Sequence, residues 1–192
     1  MIYDRRSNNN ELSLFWMWQN RYLELKQCMI MIYMNIGINL EKNGDRSVSL
    51  VLRRATLEDC EILYEWRNDE LVRKNSFCQE YIEQEEHIKW LRNFLDDKSC
   101  RIYILIDNEV RVGQAKVRVI DNEAEIGYSI GKEYRGHGYG TKCLELVKSE
   151  IKKEFPNLQK VYGRVKVDNV ISERAFEKAG YQAQYIEYVS NV

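Results

Sequence analysis

Between Arg101 and Phe155 the chain sets out three strands, two tight turns, a glycine-rich loop and one amphipathic helix, in that order. Ile102, Ile104 and Ile106 alternate with other residues, and Asp107-Asn108 follows as a turn. Val110–Ile120 is the next strand, Asp121-Asn122 the next turn, and Glu123–Ile130 the third strand. A period of two marks strands, and Asn and Asp tolerate the left-handed backbone of two-residue hairpin turns. After the loop, Leu144, Val147, Ile151 and Phe155 share one helix face, and Pro156 ends that helix.

The flanking segments extend this pattern. Ser47–Arg53 alternates Val48, Leu50 and Leu52 and reads as a strand. Thr56 opens a helix with Asp59 three residues on, a capping-box-like start, and its apolar positions are Leu57, Cys60, Leu63 and Trp66. A second helix over Ile82–Leu95 places Ile88, Leu91 and Leu95 on one face, with His87 expected at the surface. Lys160–Val167 reads as a strand, Ile171–Ala179 as a helix closed by Gly180, and Gln182–Val189 as a last strand. The order β-α-α-β-β-β-α-β-α-β is that of an α/β domain with a mixed sheet and helices on both faces. Residues 1–47 lack this regularity and read as an N-terminal extension, with a polar Ser7–Asn10 run and an aromatic patch of Phe15, Trp16, Trp18 and Tyr22.

Charge and composition remove several classes. Lys and Arg (29) nearly cancel Asp and Glu (30), which argues against a general nucleic-acid binder. The five cysteines form no C-x-x-C pair, so reduced thiols are expected rather than a disulfide framework or a metal site. The uncharged stretch Gln27–Leu40 is shorter than the roughly 18 apolar residues of a membrane span, and the start lacks a signal-peptide build. A soluble, cytoplasmic protein is the expectation.

The loop Ile130–Lys142 carries the sharpest chemistry. Gly136, Gly138 and Gly140 alternate just where a helix begins. Glycines let the backbone aim several N–H groups at one point, and the helix N-terminus adds a positive dipole end, which suits a phosphate. Lys132, Arg135 and Lys142 add positive charge. The order G-K-[ST] of a Walker loop and the spacing G-x-G-x-x-G are both absent, and an ordinary glycine-rich turn is the competing reading.

Arg135, Gly138 and Gly140 fit the pattern [RQ]-x-x-G-x-[GA] and follow the strand Ala124–Ile130. Downstream, Asn169, Ser172, Phe176, Gly180 and Tyr181 fit N-x-x-S-x-x-x-[YF]-x-x-x-G-[FY]. From Val48 onward the chain therefore resembles the GNAT superfamily of acetyl-coenzyme-A-dependent N-acetyltransferases. The resemblance implies a catalytic domain over 48–192, a mostly antiparallel mixed sheet with a splayed fourth strand, and direct acetyl transfer from acetyl-CoA to an amine without a metal. It implies coenzyme contacts from Tyr128, Ser129, Ile130, Arg135, Gly136, His137, Gly138, Tyr139, Gly140, Thr141 and Asn169. Glu125 stands where some members place a catalytic glutamate, and a solvent-facing strand glutamate is its other reading. Many members carry a tyrosine at the position of Phe176 to protonate the departing thiolate; here Ser172, water or another tyrosine does this, or the thiolate leaves unassisted, and a helix-capping serine is the other reading of Ser172. Cys143 falls on the apolar helix face and is expected to pack.

For the acceptor, Trp66, Arg67, Asn68 and Arg73 resemble members that acetylate amino groups on nucleotide-linked sugars. Guanidinium groups pair phosphate bidentately, and Trp66 could stack on a base, although core packing of Trp66 and an Arg67–Asp69 pair are the plainer readings. The alternatives are an N-terminal amine acetyltransferase of ribosomal or other proteins, and a coenzyme-A-binding domain without turnover. Homodimers are common in the family.

Overall fold

The chain divides into two units, Met1–Arg46 and Ser47–Val192. The computed structural model describes residues 50–187, all within the second. The expected aromatic patch at Phe15–Tyr22, the start of the first strand at 47–49 and the end of the last one at 188–189 lie outside the described residues.

Five strands form one sheet in sequence order: β1 (Leu50–Arg54), β2 (Cys100–Asp107), β3 (Val110–Ile120), β4 (Glu123–Ile130) and β5 (Lys160–Tyr162). The first three pairings are antiparallel and β4–β5 is parallel. Asp121 and Asn122 turn at φ 49° and 63°, as expected. The other hairpin turns one residue later than expected, at Asn108 (φ 45°) and Glu109 (φ 72°), because Asp107 stays in the ladder opposite Val110.

Strand β2 is apolar on both faces. Tyr103 and Leu105 join Ala115, Val117 and Ile126 in a core under α4 (Tyr139–Glu154), which contributes Cys143, Leu144, Val147 and Ile151. Cys100, Ile102 and Ile104 join a second core with Leu63 and Trp66 of α1 (Cys60–Asn68) and Leu91 and Phe94 of α3 (Gln84–Asp96). Helices thus cover both faces, and each fully buried Leu or Ile contributes about 1.5–3 kcal/mol. Glu154 at the end of α4 accepts from Tyr103 (2.6 Å) and Arg101 (2.8 Å), which pins that helix to the sheet and fixes where its N-terminus falls.

Local departures have local causes. A 3-10 turn, Leu57–Asp59, precedes α1 and leaves Leu57 half exposed, while Asp59 accepts from the Thr56 N–H at 2.9 Å. The short helix α2 (Glu70–Asn75) was not expected; Asp69 caps it by accepting from the Val72 N–H at 3.0 Å. On α3 the buried stripe is His87, Leu91 and Phe94 rather than Ile88, Leu91 and Leu95. His87 is therefore a core residue, not a surface one: excluding it from the apolar pattern shifts the stripe by one position. Strand β5 stops at Tyr162 instead of Val167, and α5 covers Val170–Lys178. Residues 182–187 are exposed and belong to no strand, because after Tyr181 packs on Phe176 the chain has no partner strand among the described residues.

Candidate active site

The loop after β4 begins at Gly131, where a Cβ would stand 3.0 Å from Trp66 Nε1, so the chain passes the indole closely. Arg135 then donates from Nε to the Ile130 carbonyl (3.1 Å) and from its guanidinium to Asp69 (2.6 Å). Its charge is thereby spent on bracing the loop against the cap of α2. Gly136 (φ 82°) and Gly138 (φ 81°) adopt the left-handed backbone that glycine tolerates best, and Gly138 hands the chain to α4. No side chain caps that helix and its first turn carries no acid, so the Tyr139, Gly140 and Thr141 N–H groups are left to an outside acceptor. The Tyr139 hydroxyl donates to Asp107, and His137 is exposed with Nδ1 3.4 Å from the Tyr134 carbonyl. Lys142 pairs with Glu145 at the surface. Lys132 borders a cavity of about 330 Å³ with Glu65, Trp66, Asn68, Asp69 and Glu133.

Beside this loop the sheet opens. Strand β4 has eight residues, yet β5 pairs with it only at Glu123, Ala124 and Glu125. The Gly131 N–H bonds Val112 across β3, so by antiparallel alternation the N–H and C=O of Tyr128 face away from β3, into the gap. The Tyr128 side chain lies in the same region: its hydroxyl donates to Ser172 Oγ at 3.2 Å. A Cβ on Gly140 would come within 2.9 Å of the Tyr128 ring. Asn169 donates to Ser172 Oγ (3.0 Å) and caps α5 by accepting from the Ser172 N–H (3.2 Å). Burial pushes the Tyr128 hydroxyl above the usual tyrosine range against the opposing effect of Ser172, so it keeps its proton. Phe176 meets Tyr128 edge-on, with its ring tip against Gly163.

The other face of β4 presents Glu125, Gly127 and Ser129. Glu125 accepts from Arg164 Nε at 2.8 Å and remains partly exposed. Ser129 is buried and accepts from Gln114 at 3.2 Å. Above Gly127 there is open space: a Cβ there would meet nothing within 4 Å.

The residues expected to meet the acceptor also make contacts within the fold. Trp66 is 7% exposed within the second core. Arg67 donates to the carbonyls of Cys78 (3.3 Å) and Glu80 (3.4 Å), and it is Arg135, not Arg67, that pairs with Asp69. Asn68 exchanges two hydrogen bonds with the backbone of Ile82, and Arg73 donates to the carbonyls of Asn68 and Gln79. These residues fasten the 76–83 segment. Cys143 is buried, and burial pushes its thiol up to about 12, which leaves it a packing residue.

Sequence reasoning offered another tyrosine as the proton donor without singling out Tyr128, and passed over Arg164 and Lys116. The Tyr128 side chain was readable in principle from the period of two, which sets it on the face opposite Glu125. Arg164 was not, because its partner is 39 residues away.

Comparison with known proteins agrees with this geometry. Residues 49–182 match the family described as acetyltransferase (GNAT) domain. An uncharacterized protein of Methanocaldococcus jannaschii is 28% identical over 148 residues, which is 75% of this chain and 30% of that protein; the chain thus spans less than a third of its relative's length. Among solved structures, the aminoglycoside acetyltransferase AAC(6')-Ib bound to coenzyme A superposes with a TM-score of 0.62 at 24% identity, over 71% of this chain and 86% of that one. The spermidine N-acetyltransferase of Vibrio cholerae, bound to coenzyme A and spermine, gives 0.62 at 21% identity over 68% and 79%. These likenesses establish the shared fold. With the family match across most of its length, the chain belongs to the GNAT acetyltransferase family.

Proposed function

We propose that residues 48–192 transfer an acetyl group from acetyl-CoA directly to a primary amine, and that residues 1–47 are an extension outside this catalytic unit. The observation that carries the reading is the opening of the β4–β5 seam, with the Tyr128 amide groups facing into it beside an uncapped helix N-terminus. An extended amide-bearing arm fits the gap and a pyrophosphate fits the helix end. The Gly136–Thr141 backbone would hold the phosphates. Tyr128, Ser129, Ile130 and Asn169 would line the arm, with Arg135 positioning the loop.

On this reading Glu125 takes the proton from the attacking amine, directly or through water, as a general base reached over the open floor at Gly127. Charge that develops on the carbonyl oxygen falls to backbone N–H groups of β4. The departing thiolate needs a proton that Phe176 cannot give. The Tyr128 hydroxyl, held by Ser172, is the donor closest to hand, and its burial keeps it protonated.

The acceptor we propose is the amino group of a nucleotide-linked amino sugar. Its support is the W-R-N-D resemblance at Trp66–Asp69 and the open floor beside Glu125. Release of free thiol from acetyl-CoA is measured with amino-sugar nucleotides and with N-terminal peptides, alongside calorimetric binding of acetyl-CoA. Turnover with the sugars alone is the expected result. Turnover with peptides alone replaces the acceptor, binding without turnover leaves a coenzyme-A-binding domain, and no binding overturns the reading.

A further inference from the structure

The face of the sheet away from Tyr128 gathers donors with nothing to donate to. His87 is 1% exposed, and its Nε2 has no hydrogen-bond partner among the described residues. Arg67 Nη1 is likewise buried without one, although the rest of that guanidinium braces Cys78 and Glu80. Lys116 lies opposite Gly127 in the β3–β4 register, its ammonium 5.3 Å from the centroid of the Trp90 ring. Among the described residues no carboxylate lies within ion-pair distance of it, and Glu125, the one acid that acts on it, is paired with Arg164.

These groups act on one another. Burial, then the charges of Arg67 and Lys116, hold the His87 imidazole below its ordinary value, and burial with Arg67 and Arg118 does the same to Lys116. Cys60 Sγ lies 3.7 Å from His87 Nδ1, and burial keeps that thiol protonated with a hydrogen to offer. Assigning Nδ1 as the acceptor of that contact places the ring hydrogen on Nε2. Arg67 on helix α1 and His87 on helix α3 each keep a buried N–H without a partner, and His87 and Lys116 of strand β3 both lie against the Trp90 ring, at 5.5 and 5.3 Å. Buried donors without partners are rare in native proteins and unfavourable, and like charges repel. A bound oxyanion would resolve both.

We propose that Arg67, His87 and Lys116 form a receptor for an anionic oxygen group, phosphate or carboxylate, carried by the acceptor, whose amino end enters over Gly127 beside Glu125. The amine chemistry rests on the function proposed above; the anion site stands on its own donors. Arg67 and Lys116 make charge-assisted hydrogen bonds to the group, and His87 adds a third donor.

The test has an arm for each claim. Inorganic phosphate and acetate are titrated into the full chain while the two histidine rings are followed by NMR, with His87→Gln identifying the signals. Saturable shifts of the His87 ring, lost in Lys116→Gln and retained in Lys116→Arg, are expected. A response to phosphate alone or to acetate alone assigns the group; no response to either overturns the proposal, and the wild-type titration needs no variant to fold. In turnover, glucosamine is compared with glucosamine 6-phosphate, and galactosamine with galactosaminuronate. A charged member should have a KM about tenfold lower, and Lys116→Gln should erase that gap. Equal KM values across both pairs count against the site. A His87 response without turnover of any amine keeps the site and removes the acetyl-transfer reading.

Discussion

Arg135 and Asp69 are joined at 2.6 Å across 66 residues of sequence, and the same Asp69 oxygen accepts from the Val72 N–H that opens α2. One carboxylate therefore holds both the glycine loop and the start of α2. Asp69→Ala removes a cap and a half-buried ion pair together. A loss of about 1–2 kcal/mol is expected in chemical denaturation, with acetyl-CoA affinity reduced several-fold in calorimetry. Asp69→Asn keeps the cap and should recover part of the stability.

Glu125→Gln keeps the shape of the side chain and removes its basicity. Turnover should fall by about 100-fold or more in the thiol-release assay, with acetyl-CoA binding unchanged. If Glu125 serves only Arg164, then Arg164→Met and Glu125→Gln will both leave turnover near wild type.

Tyr128→Phe deletes the hydroxyl while keeping the ring that packs on Gly140 and Phe176. A drop of about tenfold or more in kcat is expected, with a smaller one for Ser172→Ala, which orients the donor but leaves it in place. Equal activity of Tyr128→Phe and wild type would transfer the proton-donor role to water.

Two glycines of similar appearance in sequence should separate cleanly. A Cβ on Gly163 would lie 2.2 Å from Phe176 Cζ and 3.1 Å from the Ile126 carbonyl, so Gly163→Ala should cost about 1–3 kcal/mol in stability. Gly127→Ala meets nothing within 4 Å and should melt like wild type while raising the acceptor KM.

Acid should unfold this domain through three carboxylates. Burial would raise Asp59, Asp69 and Glu154, but the hydrogen bonds and neighbouring positive charges at each, led by Arg53 at Asp59, Arg135 at Asp69 and Tyr103 at Glu154, together outweigh it and hold all three below their ordinary values of 3.8, 3.8 and 4.5. The unfolded chain then binds more protons than the folded one between the two sets of values. Their stabilisation is full above the unfolded values and is lost as pH falls through the folded ones. Denaturation midpoints measured from pH 6 down should hold to about pH 5 and then decline, and Asp59→Asn should flatten the decline.

The sheet was legible because its evidence is local. Asp121-Asn122 announces its turn, Gly138 its helix start, and the alternation of Ile102 and Ile104 its strand. The glycine loop before α4 was legible for a similar reason, since its residues lie in one short segment. The acceptor face was not. Arg67 and Arg73 look like free cations in sequence, yet each is turned to backbone carbonyls of the 76–83 segment. His87 reads as polar and therefore external, yet it continues the buried stripe of Leu91 and Phe94. What a polar side chain does depends on which distant backbone it meets, and periodicity carries no record of that.

A sheet that closes for three residue pairs and then parts is an unfinished sheet. A ligand that bonds the Tyr128 amide groups would serve as the missing strand, so ligand occupancy and folding become a single equilibrium. At a hundred times its dissociation constant such a ligand adds about 2.7 kcal/mol to the folded state. The protein's lifetime would then follow the supply of its own acyl donor, with the chain most persistent when there is acetyl to transfer.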